Sequence, residues 1–400
     1  QGSLMELGIG PIVTAGLILQ LLAGSGMIGF DSSDPDDRAL FTSATKALTL
    51  VMIGVQASAY LYGGLAGTGL DMRVSIVIFL ELMAAGLVLM LLDEMVQKWG
   101  IGSGISLFIL AGVAQKILWD GLYPGLPTPD GKYYGAIPAL IQTMMTGEPF
   151  WGVFVRPGTL PSILGLIATL VTFLIIIYLQ DVRVEIPVAY ARYRGFRGRY
   201  PIRLLYVSNL PVIFASALFA NIYYISQILW RSWGSDNFLV QLLGTYQWSE
   251  SGQPEPIGGL AYFVTSPQGP LEVLEQPLRS LIFLGVMVAF CVVFSLTWLE
   301  VGGLDPKTVA KQLMDAGMHI PGFRRSEKPI ELILKRYIPA VTVFGGFLVG
   351  LIAAVTDFVG VFSTGTGVLL SVGILYQYYE QLMKERISDM YPALRGLLGG

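Results

Sequence analysis

The stretch Asp181–Arg203 reads DVRVEIPVAYARYRGFRGRYPIR and carries six arginines: Arg183, Arg192, Arg194, Arg197, Arg199 and Arg203. Uncharged apolar runs flank it. Pro157–Gln180 precedes it and Leu204–Trp230 follows. Each flank is long enough to cross a bilayer, which takes roughly 17–25 residues as a helix. Arginine-rich connections mark the cytoplasmic face of a membrane protein. The same charges can also offer a docking surface to an anionic partner. Topology and docking therefore ask for the same residues.

Working outward, seven further apolar runs appear: Leu7–Phe30, Ala47–Leu70, Val74–Leu92, Trp99–Gln115, Ser280–Leu299, Tyr337–Thr356 and Phe358–Tyr379. Glu81 is the only charge inside any of them. Nine spans in all put the termini on opposite sides. Alternation then gathers Arg38, Lys46, Lys98, the loop 181–203, the loop 301–336 and the tail on one side. That side holds 19 of the 25 basic residues, so it is expected to be the cytoplasm, with the C-terminus there. The long segments Gly121–Arg156 and Ser232–Pro277 fall on the other side. They are rich in Gly, Pro, Tyr and Trp, a composition suited to the membrane interface.

Composition agrees. The chain of 400 residues is 54% hydrophobic and 13% charged, with mean hydropathy +0.64. A soluble protein of this size carries more surface charge, so a polytopic membrane protein is expected. The 48 glycines suit close approach of membrane helices. A single cysteine, Cys291, excludes an internal disulfide framework and a cysteine metal site. A single histidine, His319, excludes a histidine metal cluster and sits in a basic loop, away from any span. There is no phosphate-cradling P-loop. No cofactor, metal or catalytic residue is expected. The chain opens QGSLMELGIGP, without an initiator Met or the charged flank of a signal peptide, and reads as beginning inside a longer protein.

Several stretches match one family. ARYRGFRGRYPIRLLYVSNLPVIFASALFANIYYISQ (Ala191–Gln227), GIGPIVTAGLILQLLAG (Gly8–Gly24), GIGSGISLFILAGV (Gly100–Val113), TWLEVGG (Thr297–Gly303), VAKQLMDAGMHIPGFR (Val309–Arg324) and STGTGVLLSVGILYQYYE (Ser363–Glu380) resemble the SecY family. This is the α subunit of the protein-conducting channel; the wording of the basic loop is similar to the archaeal and eukaryotic branch more than to the bacterial one, and the compact external loops resemble the archaeal type. The resemblance implies an all-α polytopic membrane protein with two pseudo-symmetric helical halves around a central pore. Nine of the family's ten spans are visible; the first span and the plug helix that blocks the resting pore are not. The halves would be residues 1–120 and 157–400, joined by an external hinge at 121–156, with cytoplasmic loops 181–203 and 301–336.

The resemblance also implies roles. A ring of apolar side chains at the pore waist would fall on Ile9, Val13, Ile105, Ile109, Ile213 and Leu370. Read alone, an isoleucine or leucine in a span more often faces lipid or another helix. A narrow apolar collar nevertheless disfavours water and ions, yet parts around an extended chain. A lateral gate, the seam through which apolar segments leave for lipid, would include the amides Gln20, Gln56 and Asn221. Without the family these amides read as ordinary interhelical glue. Arg192, Arg194, Arg197 and Arg324 would dock the ribosome, whose RNA phosphates suit clustered arginine. The implied partners are small membrane subunits of the SecE/γ and SecG/β types, the ribosome, signal sequences and nascent polypeptides, and membrane lipid.

Two other features invite readings from the residues alone. Glu81 and Lys116, the charges nearest span interiors, are expected to snorkel or to pair with each other. Pro11, Pro211 and Pro339 are tolerated helix breakers that prove no gate. The rival function class is a secondary transporter, which would need buried ionisable groups for ion coupling. A membrane-embedded enzyme would need a nucleophile–base pair. Neither set of residues is evident in the sequence.

Overall fold

A computed structural model describes residues 5–24, 35–62, 71–100, 102–125, 128, 131–156, 160–190, 197–205, 207, 210–234, 237–248, 254–267, 269–315, 317–319 and 326–390. The N-terminal half contains α1 (Gly10–Gly24), α2 (Pro35–Tyr62), α3 (Met72–Trp99) and α4 (Gly104–Leu122). The connecting segment folds into α5 (Ala136–Thr146) and α6 (Trp151–Phe154). The C-terminal half opens with α7 (Ile163–Asp181), the strands β1 (Arg183–Tyr190) and β2 (Arg197–Arg203), and α8 (Leu210–Trp233). Then come α9 (Phe238–Leu243), β3 (Thr245–Trp248), β4 (Pro254–Gly258), α10 (Gly259–Val264) and α11 (Pro270–Glu275). It closes with α12 (Pro277–Val301), α13 (Pro306–Asp315), β5 (Met318–His319), α14 (Glu327–Val359) and α15 (Gly365–Met390).

The main part of each of the nine apolar runs falls on a different helix, although Trp99 belongs to the end of α3 and Phe358 to the end of α14. Seven of them, α2, α3, α4, α7, α8, α12 and α14, are long and apolar enough to cross a membrane by themselves. α1 is shorter, at 15 residues. α15 is apolar only in its first half, because Glu380, Lys384, Glu385, Arg386 and Asp389 follow. Several helices overrun their apolar runs. α2 starts at Pro35 and α14 at Glu327, well before the uncharged stretch of each, because a helix end in the polar layer tolerates charge. Of the three prolines, Pro11 and Pro211 occupy the first turns of α1 and α8, where no intrahelical N–H is lost. Pro339 alone lies inside a helix, α14.

Beyond the helices expected from the sequence, the basic loops hold a small sheet. β1 pairs antiparallel with β2 from Arg183↔Arg203 to Ala189↔Arg197. β5, from the second basic loop, pairs with β1 at Ala189↔His319 and Tyr190↔Met318. The order β2-β1-β5 thus joins the loops 181–203 and 301–336. Alternation drives it: Ile186 and Ile202 are buried and pack with Leu299, Val309, Leu313, Ile330 and Leu334 under the sheet. Glu185 and Arg199 stand on the exposed side.

The connecting segment is a folded unit. Ala136 and Ala139 of α5 pack with Val153, Ile163 and Phe362. Arg156 is only 3% exposed. Its guanidinium donates to the carbonyls of Tyr134 (2.8 Å) and Pro161 (3.0 Å) and to Thr128 Oγ1 (2.9 Å). Lys116 does not pair with Glu81, which lies exposed on α3. It bonds Asp120 at 2.8 Å instead, one turn away on α4. On the same side, Tyr246 of the β3–β4 hairpin donates to the Tyr223 carbonyl at 3.0 Å and contacts Ser226, both on α8. Burial pushes its phenol well above the ordinary tyrosine range.

Candidate functional site: a waist between two cavities

The helices divide into two groups that face each other. α1 and α2 meet α8 and α12 along one seam, and α4 meets α15 along the other. Between the groups lie two cavities. The larger, about 690 Å³, opens where α2 begins, α3 ends and α4 begins, with Lys46, Glu94 and Lys98 at its mouth. The smaller, about 360 Å³, opens at the opposite end beside Glu6, Tyr60 and Thr364.

Val13, Ile109, Ile213 and Leu370 line both cavities, and no other side chain does so among the described residues. They come from α1, α4, α8 and α15. Ile105 lines only the larger cavity and Ile9 only the smaller. All six residues named from sequence therefore lie at or beside one constriction. Each is half-buried, as the wall of a cavity should be. Helical spacing accounts for the pairs: Ile9 with Val13 and Ile105 with Ile109 sit four residues apart and share a face. A constriction of branched alkyl groups offers no hydrogen bond to water or ions.

The three amides do not behave alike. Gln56 Nε2 on α2 and Asn221 Nδ2 on α8 both reach Thr14 Oγ1 on α1, each at 3.3 Å. Asn221 also donates to the Ala217 carbonyl at 2.8 Å. Thr14 is 4% exposed and thus joins three helices across the seam. Sequence reasoning missed it, because a threonine in a span usually bonds its own helix and gives no mark of its partners. Gln20 stands apart. Its Oε1 is buried and faces no donor among the described residues, beside a small gap bounded by Phe214, Phe294 and Trp298.

The basic loops divide likewise. Arg192, Arg194 and Arg324 lie outside the described residues. Arg197 opens β2, opposite Ala189. Arg199 pairs with Glu185 at 2.6 Å. Arg203 pairs with Glu380 of α15 at 2.5 Å and lies over the Tyr376 ring. Among the described residues, Arg199 and Arg203 are thus engaged within the chain, one tying β1 to β2 and the other anchoring the sheet to α15. No group of three or more metal-ligating side chains occurs among the described residues.

Comparison with known proteins agrees with this architecture. The SecY family profile matches residues 3–379. The protein translocase subunit SecY of Pyrococcus furiosus is 43% identical over 415 aligned positions, covering all of this chain and 85% of that protein. The solved structure of a protein-conducting channel superposes with a TM-score of 0.81 at 40% identity, covering 98% of this chain and 84% of that one. Sec61 in the canine ribosome–channel complex from the endoplasmic reticulum superposes with a TM-score of 0.78 at 39% identity, covering 98% and 84%. The chain is a multi-pass membrane protein, and it belongs to the SecY family.

Proposed function

We propose that this chain is the pore-forming subunit of a channel that passes unfolded polypeptides across the membrane and releases apolar segments sideways into lipid. The observation that carries this reading is the meeting of two cavities at Val13, Ile109, Ile213 and Leu370. A hydrophobic collar excludes water at rest, and it gives a moving chain no fixed polar partner. The collar is contributed by both helix groups, so separating them widens it. Ile9 and Ile105 extend the collar toward either cavity. The chain acts as a channel and not as an enzyme, and the driving force comes from a partner.

Lateral release uses the seam of α1 and α2 against α8 and α12, where Gln56, Asn221 and Thr14 meet and Gln20 lies nearby. Signal sequences and other apolar segments leave for lipid there. The segment 121–156 joins the halves. Hinge motion occurs at its junctions with α4 and α7, a reading supported by the folded packing of α5 and α6 between them. The C-terminus and the sheet of the two basic loops face the cytoplasm. Arg192, Arg194, Arg197 and Arg324 dock a translating ribosome, and small subunits of the SecE/γ and SecG/β types complete the channel.

Two measurements test this. Replacing Ile109, Ile213 and Leu370 together with Asn should raise the ion conductance of the idle channel complex in planar bilayers severalfold; unchanged conductance removes the collar. Reversing Arg194 and Arg324 to Glu should weaken ribosome binding while a C-terminal reporter stays cytoplasmic. Inverted topology with intact binding would assign those charges to orientation alone. Arg199→Glu should cost less affinity than Arg194→Glu, since Arg199 is already paired with Glu185.

A further inference from the structure

α4 supplies two of the collar residues, yet its start has no cap of its own. Ser103 occupies the N-cap position and its side chain makes no capping bond. The first N–H groups of a helix have no intrahelical acceptor. One of them is met from another helix. Asp93, in the last turns of α3, accepts the Ile105 N–H at 2.9 Å through Oδ1. Its other oxygen accepts from Gln97 Nε2 at 2.8 Å, which fixes the plane of the carboxylate. Asp93 is 8% exposed. A buried carboxylate at a helix N-terminus is favoured by both the free N–H groups and the helix dipole.

The packing around this contact is tight. A Cβ at Gly104 would lie 2.6 Å from Asp93 Cα, so only glycine lets the two helices come this close. From the other half of the molecule, Tyr378 of α15 donates to the Ser103 carbonyl at 3.0 Å. Its ring fills the space that a side chain at Gly102 would need, and Gly102 has a φ of +78°. The start of α4 is therefore held by α3 on one side and α15 on the other. The residue whose N–H is held, Ile105, is itself a collar residue, and Ile109 follows one turn later.

We infer that Asp93 is a positioning residue for the channel waist: by holding the Ile105 N–H, its carboxylate sets the rotation of α4 that aims Ile105 and Ile109 into the pore. The inference rests on the collar reading above. Each helical residue turns the chain by about 100°, so a slip of one residue at the α4 start swings both isoleucines off the wall. Ile213 sits on α8 and has no part in this contact, which provides an internal control.

The test is a mutant cycle read as idle ion conductance of the reconstituted channel complex. Asp93→Ala should raise conductance severalfold in the parent protein and again in an Ile213→Ala background. It should change conductance by less than about twofold where Ile105 and Ile109 are already Ala, because residues acting through one another are not additive. Asp93→Asn keeps an oxygen for the Ile105 N–H and should stay near the parent. If Asp93→Ala yields no folded complex, Gln97→Ala, which frees the second oxygen, should give a smaller rise in the same pattern. An Asp93→Ala rise that persists in the Ile105→Ala, Ile109→Ala background overturns the inference, as does no rise at all. If the collar substitutions themselves leave conductance unchanged, the collar reading has failed first and the inference falls with it.

Discussion

Thr14 Oγ1 collects the amides of Gln56 and Asn221 from two other helices, so this small cluster bridges α1, α2 and α8. Interhelical hydrogen bonds in membranes contribute only about 0.6 kcal/mol on average. Two such bonds amount to roughly 1 kcal/mol, comparable with two leucines on an insertion scale. On the proposed function, a seam held this weakly is one that an apolar segment itself opens. Thr14→Val keeps the shape and removes the shared oxygen. It should lower the hydrophobicity needed for integration by about two leucines in a graded series of test segments; Thr14→Ser should not. An unmoved threshold would make the cluster purely structural. The residues where the two cavities meet could be named from the sequence only through the resemblance carried by long motifs such as GIGSGISLFILAGV. Thr14 could not, because its partners lie 42 and 207 positions away and nothing local announces them.

The helices of the C-terminal half are held by close backbone approach as well as by side-chain packing. α12 and α14 cross where Gly346 and Gly350 bring the chains together. A Cβ at Gly350 would lie 2.9 Å from Val288 Cα and 3.1 Å from Cys291 Cβ, and one at Gly346 would lie 3.0 Å from the Cys291 carbonyl. Small residues four apart are a recurrent way to seat membrane helices. Gly350→Val should therefore lower the stability of the purified complex by about 1–3 kcal/mol, the usual range for overpacking, seen as a drop in its thermal unfolding midpoint. Gly285→Ala on α12 is the control, since an added Cβ there meets nothing within 4 Å. It should hold or raise the midpoint; equal losses at both sites would refute the close-approach account. At this scale the apolar runs announced the long helices but not their ends, and not the short helices between them. Charged turns such as those opening α2 and α14 carry no hydrophobic signal. The sheet was hidden for a different reason. β1 alternates Val184 and Ile186 with Arg183 and Glu185, a strand pattern masked by the arginines that dominate the loop's composition. β5 is two residues long and has no pattern to read.

Across the whole molecule, two groups of helices meet at a collar, with a cavity on either side. Arg203, which closes the arginine-rich stretch, is linked to that waist through α15. Arg203 is tied to Glu380 there, and the same helix carries Leu370 of the collar and Tyr378 at the start of α4. A load applied to the basic sheet thus has a covalent and ion-paired path to the waist. Charge counting gives an expected orientation, whereas the meeting of the two cavities was visible only once the helices were placed, because lipid-facing and cavity-facing isoleucines look the same in sequence. The most direct test of the central claim is crosslinking of a ribosome-stalled nascent chain to single cysteines introduced after Cys291→Ala. The account predicts adducts at positions 13, 109, 213 and 370, and none at position 174, where Leu174 is 67% exposed on the outer face of α7. Adducts at position 174 equal to those at the four waist positions, or none at the waist while translocation proceeds, would contradict it.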